Sequence, residues 1–94
     1  MPPTFDYKQE INNILATVVT DAGAKGKLRN GTMDIKADLF LDAGLTADDI
    51  AGQAQDFNAL IVANGKKPPI RVATSKLRGC KTLEALYKLM EPSF

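Results

Sequence analysis

Residues 7–22 read YKQEINNILATVVTDA, and the spacing of their apolar side chains decides the fold class. Tyr7, Ile11, Ile14, Leu15, Val18, Val19 and Ala22 recur at steps of three, four and one, which places them on one stripe of an α-helix. A half-buried strand would alternate at a period of two, and this stretch does not. Thr4 or Asp6 supplies a cap at its start, and Gly23 stands where a left-handed residue commonly ends a helix. The spacing therefore predicts a helix over Phe5–Gly23 whose stripe faces other helices.

Working toward the C-terminus, residues 24–34 (AKGKLRNGTMD) read as a long loop, because Gly26, Asn30 and Gly31 are turn formers. Leu28 and Met33 would pin that loop to the core. Residues 35–45 (IKADLFLDAGL) bring an apolar cluster, Leu39, Phe40 and Leu41. A second helix is predicted over Ala47–Asn64, with Thr46 as N-cap and Asp49 three residues on in the manner of a capping box. Asp48 and Asp49 suit the positive end of its dipole. Ile50, Ala54, Phe57 and Ile61 form its stripe, and Asn64-Gly65 followed by Pro68-Pro69 stops it. A short third helix is predicted around Ala73–Arg78, stopped by Gly79. Leu83, Leu86, Tyr87 and Met90 line a last helix that Thr82 caps and Pro92 ends. The expected architecture is one all-α domain over residues 1–94, an irregular four-helix bundle with a long loop between helices 1 and 2.

Composition narrows the function. The 94 residues are 45% hydrophobic and 24% charged, an ordinary globular balance. With no histidine and one cysteine, Cys80, the chain alone cannot form a Ser-His-Asp or Cys-His catalytic set, a histidine metal site or a four-cysteine cluster. Neither nucleotide-binding glycine pattern occurs. These absences favour a binding, carrier or interaction module over an enzyme. No apolar run approaches the length of a membrane span, and the start MPPTFDYKQE has no secretory pattern. A cytoplasmic monomer that does not engage membranes is the expectation. Charge is unevenly spread: residues 34–60 hold six aspartates against one lysine, and residues 61–94 hold seven cations against two glutamates. An acidic and a basic pole are expected, and such poles steer partners.

The stretch Asp38-Leu39-Phe40-Leu41-Asp42-Ala43-Gly44-Leu45-Thr46-Ala47-Asp48-Asp49-Ile50 resembles the signature of acyl and peptidyl carrier proteins. Leu39-Phe40, Asp42, Gly44 and Asp49 match it, and Lys81-Thr82-Leu83-Glu84-Ala85-Leu86 resembles the family's entry to its last helix. The resemblance spans roughly residues 5–90 and implies a four-helix carrier fold. It also implies a non-enzymatic role in fatty-acid or polyketide biosynthesis and an acidic second helix that docks on partner enzymes, here Asp42, Asp48, Asp49 and Asp56. The family attaches 4′-phosphopantetheine to a serine three residues after the glycine. That position is Ala47, and the family's next residue, leucine, is Asp48. Alanine has no hydroxyl, so the chain as written carries no phosphopantetheine; the cofactor would be expected only if position 47 were serine. The residues fit both a chain that naturally lacks the prosthetic arm and a carrier whose serine was exchanged for alanine.

A helical adaptor unrelated to acyl transfer is the alternative, binding a partner through either pole. Its basic patch would comprise Lys66, Lys67, Arg71, Lys76, Arg78 and Lys81. No aromatic residues interleave that patch for base stacking, which argues against nucleic acid. Arg78 and Lys81 flank Cys80 and could lower its thiol pKa, but a packing cysteine is the simpler reading. Ile50, Ala54, Phe57, Ile61, Ile70, Val72 and Leu77 could line an acyl cavity; a filled core is the expectation.

Overall fold

The computed structural model describes residues 6–65 and 71–94. These residues are all-α, as the apolar spacing predicts. They form seven α-helices, α1 (Tyr7–Ala16), α2 (Ala22–Asn30), α3 (Leu39–Asp42), α4 (Ala47–Ala51), α5 (Ala54–Asn64), α6 (Thr74–Arg78) and α7 (Leu83–Met90), followed by a 3-10 turn, Glu91–Ser93. No strand occurs among the described residues.

The expected first helix divides in two. Asp6 caps α1, its carboxylate accepting from the backbone N–H groups of Lys8 and Gln9. The helix stops before the β-branched run Thr17-Val18-Val19-Thr20, which loses side-chain freedom in a helix. Thr17 Oγ1 donates to the Ile14 carbonyl at 2.6 Å, an interaction that competes with the helical ladder. Asp21 then starts α2 by accepting from the Ala24 N–H at 2.8 Å.

The expected long loop between the first two helices is thus corrected: most of residues 24–34 belongs to α2. Gly23 and Gly26 lie inside that helix, and the residue that ends it is Gly31, at φ +72°. Gln9 Nε2 donates to the Leu28 and Arg29 carbonyls, so α1 satisfies the open end of α2.

The predicted second helix is likewise two helices. Gly52 ends α4 and Gln53 precedes α5 without a side-chain cap. Glycine gains least from helix formation, and the interruption falls on it. The predicted α6 and α7 stand where the sequence placed them, with Thr82 Oγ1 accepting from the Ala85 N–H at 3.1 Å. Pro92 lies within the 3-10 turn that follows α7.

Ile11, Leu15, Leu28, Leu39, Ile50, Phe57, Leu77, Leu83, Leu86 and Met90 are fully buried and make one core. α1 packs most extensively on α2, and α4 on α6. Tyr7 stacks on Phe94 with ring centres 5.0 Å apart. No helix among the described residues is long and apolar enough to cross a membrane.

Candidate functional site

Residues 38–50 run through α3, a turn at Gly44 and into α4. Asp38 caps α3, accepting from the Phe40 N–H at 2.8 Å and the Leu41 N–H at 3.3 Å. The Leu39 N–H donates to the Lys81 carbonyl at 2.7 Å, and Leu39 is buried, so α3 is fastened to the entry of α7. Gly44 adopts φ +69°, a conformation that suits glycine, and the Leu45 N–H turns back to the Leu39 carbonyl. Leu41 is left 83% exposed beside exposed Asp42.

Thr46 opens α4 through a complete capping box. Its hydroxyl accepts from the Asp49 N–H at 3.1 Å, and Asp49 Oδ2 accepts from the Thr46 N–H at 3.0 Å. Ala47 is the first helical residue and is half-buried. Its side chain ends at Cβ, so the position does not fit phosphopantetheine attachment.

The four expected docking aspartates have different surroundings. Arg78 on α6 donates from Nη1 to Asp48 Oδ1, and the side chains remain 54% and 79% exposed. Asp49 is committed to the capping box. Asp42 lines a cleft of about 360 Å³ with Asp21, Asp34 and Lys27. Asp56 is exposed on α5 and forms no ion pair among the described residues. Asp48 and Arg78, one from each pole expected from the sequence, thus meet where α4 packs on α6. Asp21 joins the acidic surface through the tertiary fold and was not visible as part of it in the chain.

The basic patch is dispersed in the same way. Lys66 and Lys67 lie outside the described residues, as does Ile70. Arg78 faces Asp48, while Lys81 is exposed beside the α3–α7 junction. Arg71 and Lys76 line a cleft of about 370 Å³ together with Lys88, which the expected patch omitted. A larger open cleft of about 840 Å³ runs along α5, lined by Ala54, Asn58, Val62, Arg71 and Val72 among others. Val62 is 75% exposed there. Ile50, Phe57 and Leu77, expected candidates for an acyl cavity, are fully buried in the core and line none of these three clefts.

Cys80 is buried, and its Sγ donates to the Lys76 carbonyl. Burial pushes its thiol pKa up, so Arg78 and Lys81 do not make it a ready thiolate. No group of three or more His, Cys, Asp or Glu side chains capable of holding a metal occurs among the described residues. No protein-family model, curated protein or solved structure matches the chain.

Proposed function

We propose that the chain is a docking module of carrier-like organisation that presents the α3–α4 corner to a partner enzyme and performs no chemistry of its own. The observation that carries this reading is Leu41, an almost fully exposed leucine beside Asp42 and five residues before Thr46. Water-facing leucines are common singly; this one stands beside a carboxylate and ahead of the helix start at which the carrier resemblance places partner recognition. Ala47 keeps the corner free of a prosthetic arm, and the partner reads the protein surface alone.

Incubation of Ala47→Ser with coenzyme A and a phosphopantetheinyl transferase tests the reading, with intact mass as the readout. Labelling of Ala47→Ser, or of Ala47→Ser/Asp48→Leu where Asp48 blocks recognition, is the expected result. Failure of both variants, under conditions that label a known carrier, would sink the carrier-like reading. The adaptor unrelated to acyl transfer would then stand, with the cations of α6 and α7 as its surface.

A further inference from the structure

We propose that the cleft between α5, α6 and α7 binds a small organic anion, with an acidic head held by Arg71, Lys76 and Lys88 above an apolar body. The body would rest on Ile61, Leu89 and Pro92. This site is separate from the α3–α4 corner and does not depend on the docking reading.

The charges carry the argument first. Among the described residues, every charged side chain lining the cleft is cationic. Arg71 comes from the segment before α6, Lys76 from α6 and Lys88 from α7, so tertiary packing, and not one helix face, gathers them. Like charges drawn together repel, and a bound anion relieves that repulsion. The side-chain carboxylates on the neighbouring elements, Asp56 on α5, Glu84 on α7 and Glu91 in the 3-10 turn, do not line it. Glu84 does pair with Lys88, at 3.3 Å and four residues apart on one helix, with Lys88 72% exposed. Such a pair is weak and yields to a better-placed anion.

The walls carry the rest. About 370 Å³ lies within the usual range for small-ligand sites, roughly 300–1,000 Å³. One wall is held in place by a side-chain amide acting as a peptide group: the Val72 N–H donates to Asn58 Oδ1 at 2.7 Å, and Asn58 Nδ2 donates to the Val72 carbonyl at 3.4 Å. The 3-10 turn abuts the end of α5, where a Cβ on Gly65 would come within 3.0 Å of the Ser93 carbonyl. A site whose walls are already fixed loses little order on binding. Its apolar floor distinguishes it from a bare anion patch.

Amide chemical-shift titrations of the full chain test the proposal, using hexyl phosphate and hexanoate as probes, with inorganic phosphate and hexanol as controls. Saturable shifts centred on Val72, Ala73, Lys76 and Leu89 are expected with at least one probe, and the tighter probe identifies the head group. Each methylene fully buried tightens binding by about fourfold, so the probe should exceed inorganic phosphate by about tenfold or more. Hexanol, which keeps the chain but lacks the charged head, should fall short by about tenfold or more through its lost charge-assisted hydrogen bonds. Arg71→Gln/Lys76→Gln should weaken binding by about tenfold or more, while Lys25→Gln/Lys27→Gln on α2, with the same change in net charge, should leave it intact. Equal binding of probe and inorganic phosphate, equal loss in both double variants, or shifts centred elsewhere would each overturn the proposal. All these substitutions except Lys25→Gln fall on exposed side chains, and an unchanged amide spectrum outside the cleft confirms that each variant is folded.

Discussion

Tyr87 donates its phenolic proton to Asn12 Oδ1 at 2.5 Å, a buried hydrogen bond that ties α7 to α1 across 75 residues of chain. Asn12 is one of two buried polar residues among those described, and the tyrosine hydroxyl supplies the partner that its carbonyl needs. Tyr87→Phe would leave that carbonyl without this partner, at a cost of about 1–3 kcal/mol. Tyr87→Phe/Asn12→Leu, which removes both polar groups, should lose less than the two single changes added together. Urea unfolding of the four proteins measures this, and simple additivity would show that the bond contributes nothing of its own.

The same tyrosine contributes to an alkaline limit. Burial is the main cause raising the pKa of Tyr87, Tyr7 and Cys80; Glu91 and Asp6 add to the effect at Tyr7, and the Asn12 bond partly opposes it at Tyr87. A raised folded-state pKa means the unfolded chain releases these protons first. Their contribution to stability is therefore full below the ordinary values, 9.0 for the thiol and 10.0 for the phenols, and is lost as pH rises through the folded-state values. The urea midpoint should fall as pH rises above about 9, and Cys80→Ala should move the onset upward. A midpoint flat to pH 11 would contradict the burial of Cys80 and Tyr87.

Three glycines separate helix propensity from steric fit. Gly26 lies inside α2 with open space where a Cβ would project, so Gly26→Ala should stabilise by about 0.5–1 kcal/mol. Gly31→Ala should destabilise by about 1–2 kcal/mol, because φ is +72° and the Cβ would meet Gln9 Oε1 at 3.0 Å. Gly65→Ala should also destabilise, since its Cβ would lie 2.5 Å from the Ile61 carbonyl. Thermal melts of the three variants check both the signs and their order.

These glycines also show what the sequence could reveal. Thr46 with Asp49, and Thr82 before Leu83, were legible because a cap is a local pattern, complete within four residues. Gly26 was misleading because its turn preference is overridden where Ala24 and Leu28 are buried against the rest of the core. The Arg78–Asp48 pair joins residues thirty apart, and the cleft cations come from three segments. No local pattern encodes such juxtapositions; they follow from α4 packing on α6, and α5 lying near the turn after α7.

Phe57 on α5 tests the core. It is fully buried, and replacing such a phenylalanine by alanine costs about 3–5 kcal/mol. A chain of this size has about 5–14 kcal/mol of stability in all. Phe57→Ala should therefore lower the midpoint of chemical denaturation sharply, reaching the unfolding threshold if the parent lies at the low end of that range. A loss below about 1 kcal/mol would mean that α5 does not present this face to the core.

The proposed docking corner yields the sharpest electrostatic prediction, because Arg78 pairs with one of its carboxylates, Asp48. Arg78 neutralises Asp48, yet the pair is so exposed that breaking it should change stability by less than about 1 kcal/mol. Its consequence is expected in recognition. Where Ala47→Ser is itself labelled, so that Asp48 does not block recognition, Arg78→Ala on that background frees the Asp48 carboxylate and should speed labelling if a basic partner surface reads this corner. Asp42→Lys should slow labelling, and so should Leu41→Lys by removing the exposed apolar anchor. Added salt should shrink the Arg78→Ala and Asp42→Lys effects, since exposed charges are screened beyond about 8 Å at physiological ionic strength. The Leu41→Lys effect should shrink only in its charge component and persist in its apolar one. Initial labelling rates at low and high salt separate these contributions. If Arg78→Ala slows labelling as much as Asp42→Lys does, the partner reads the arginine and not the aspartate, and the acidic-corner account of docking fails.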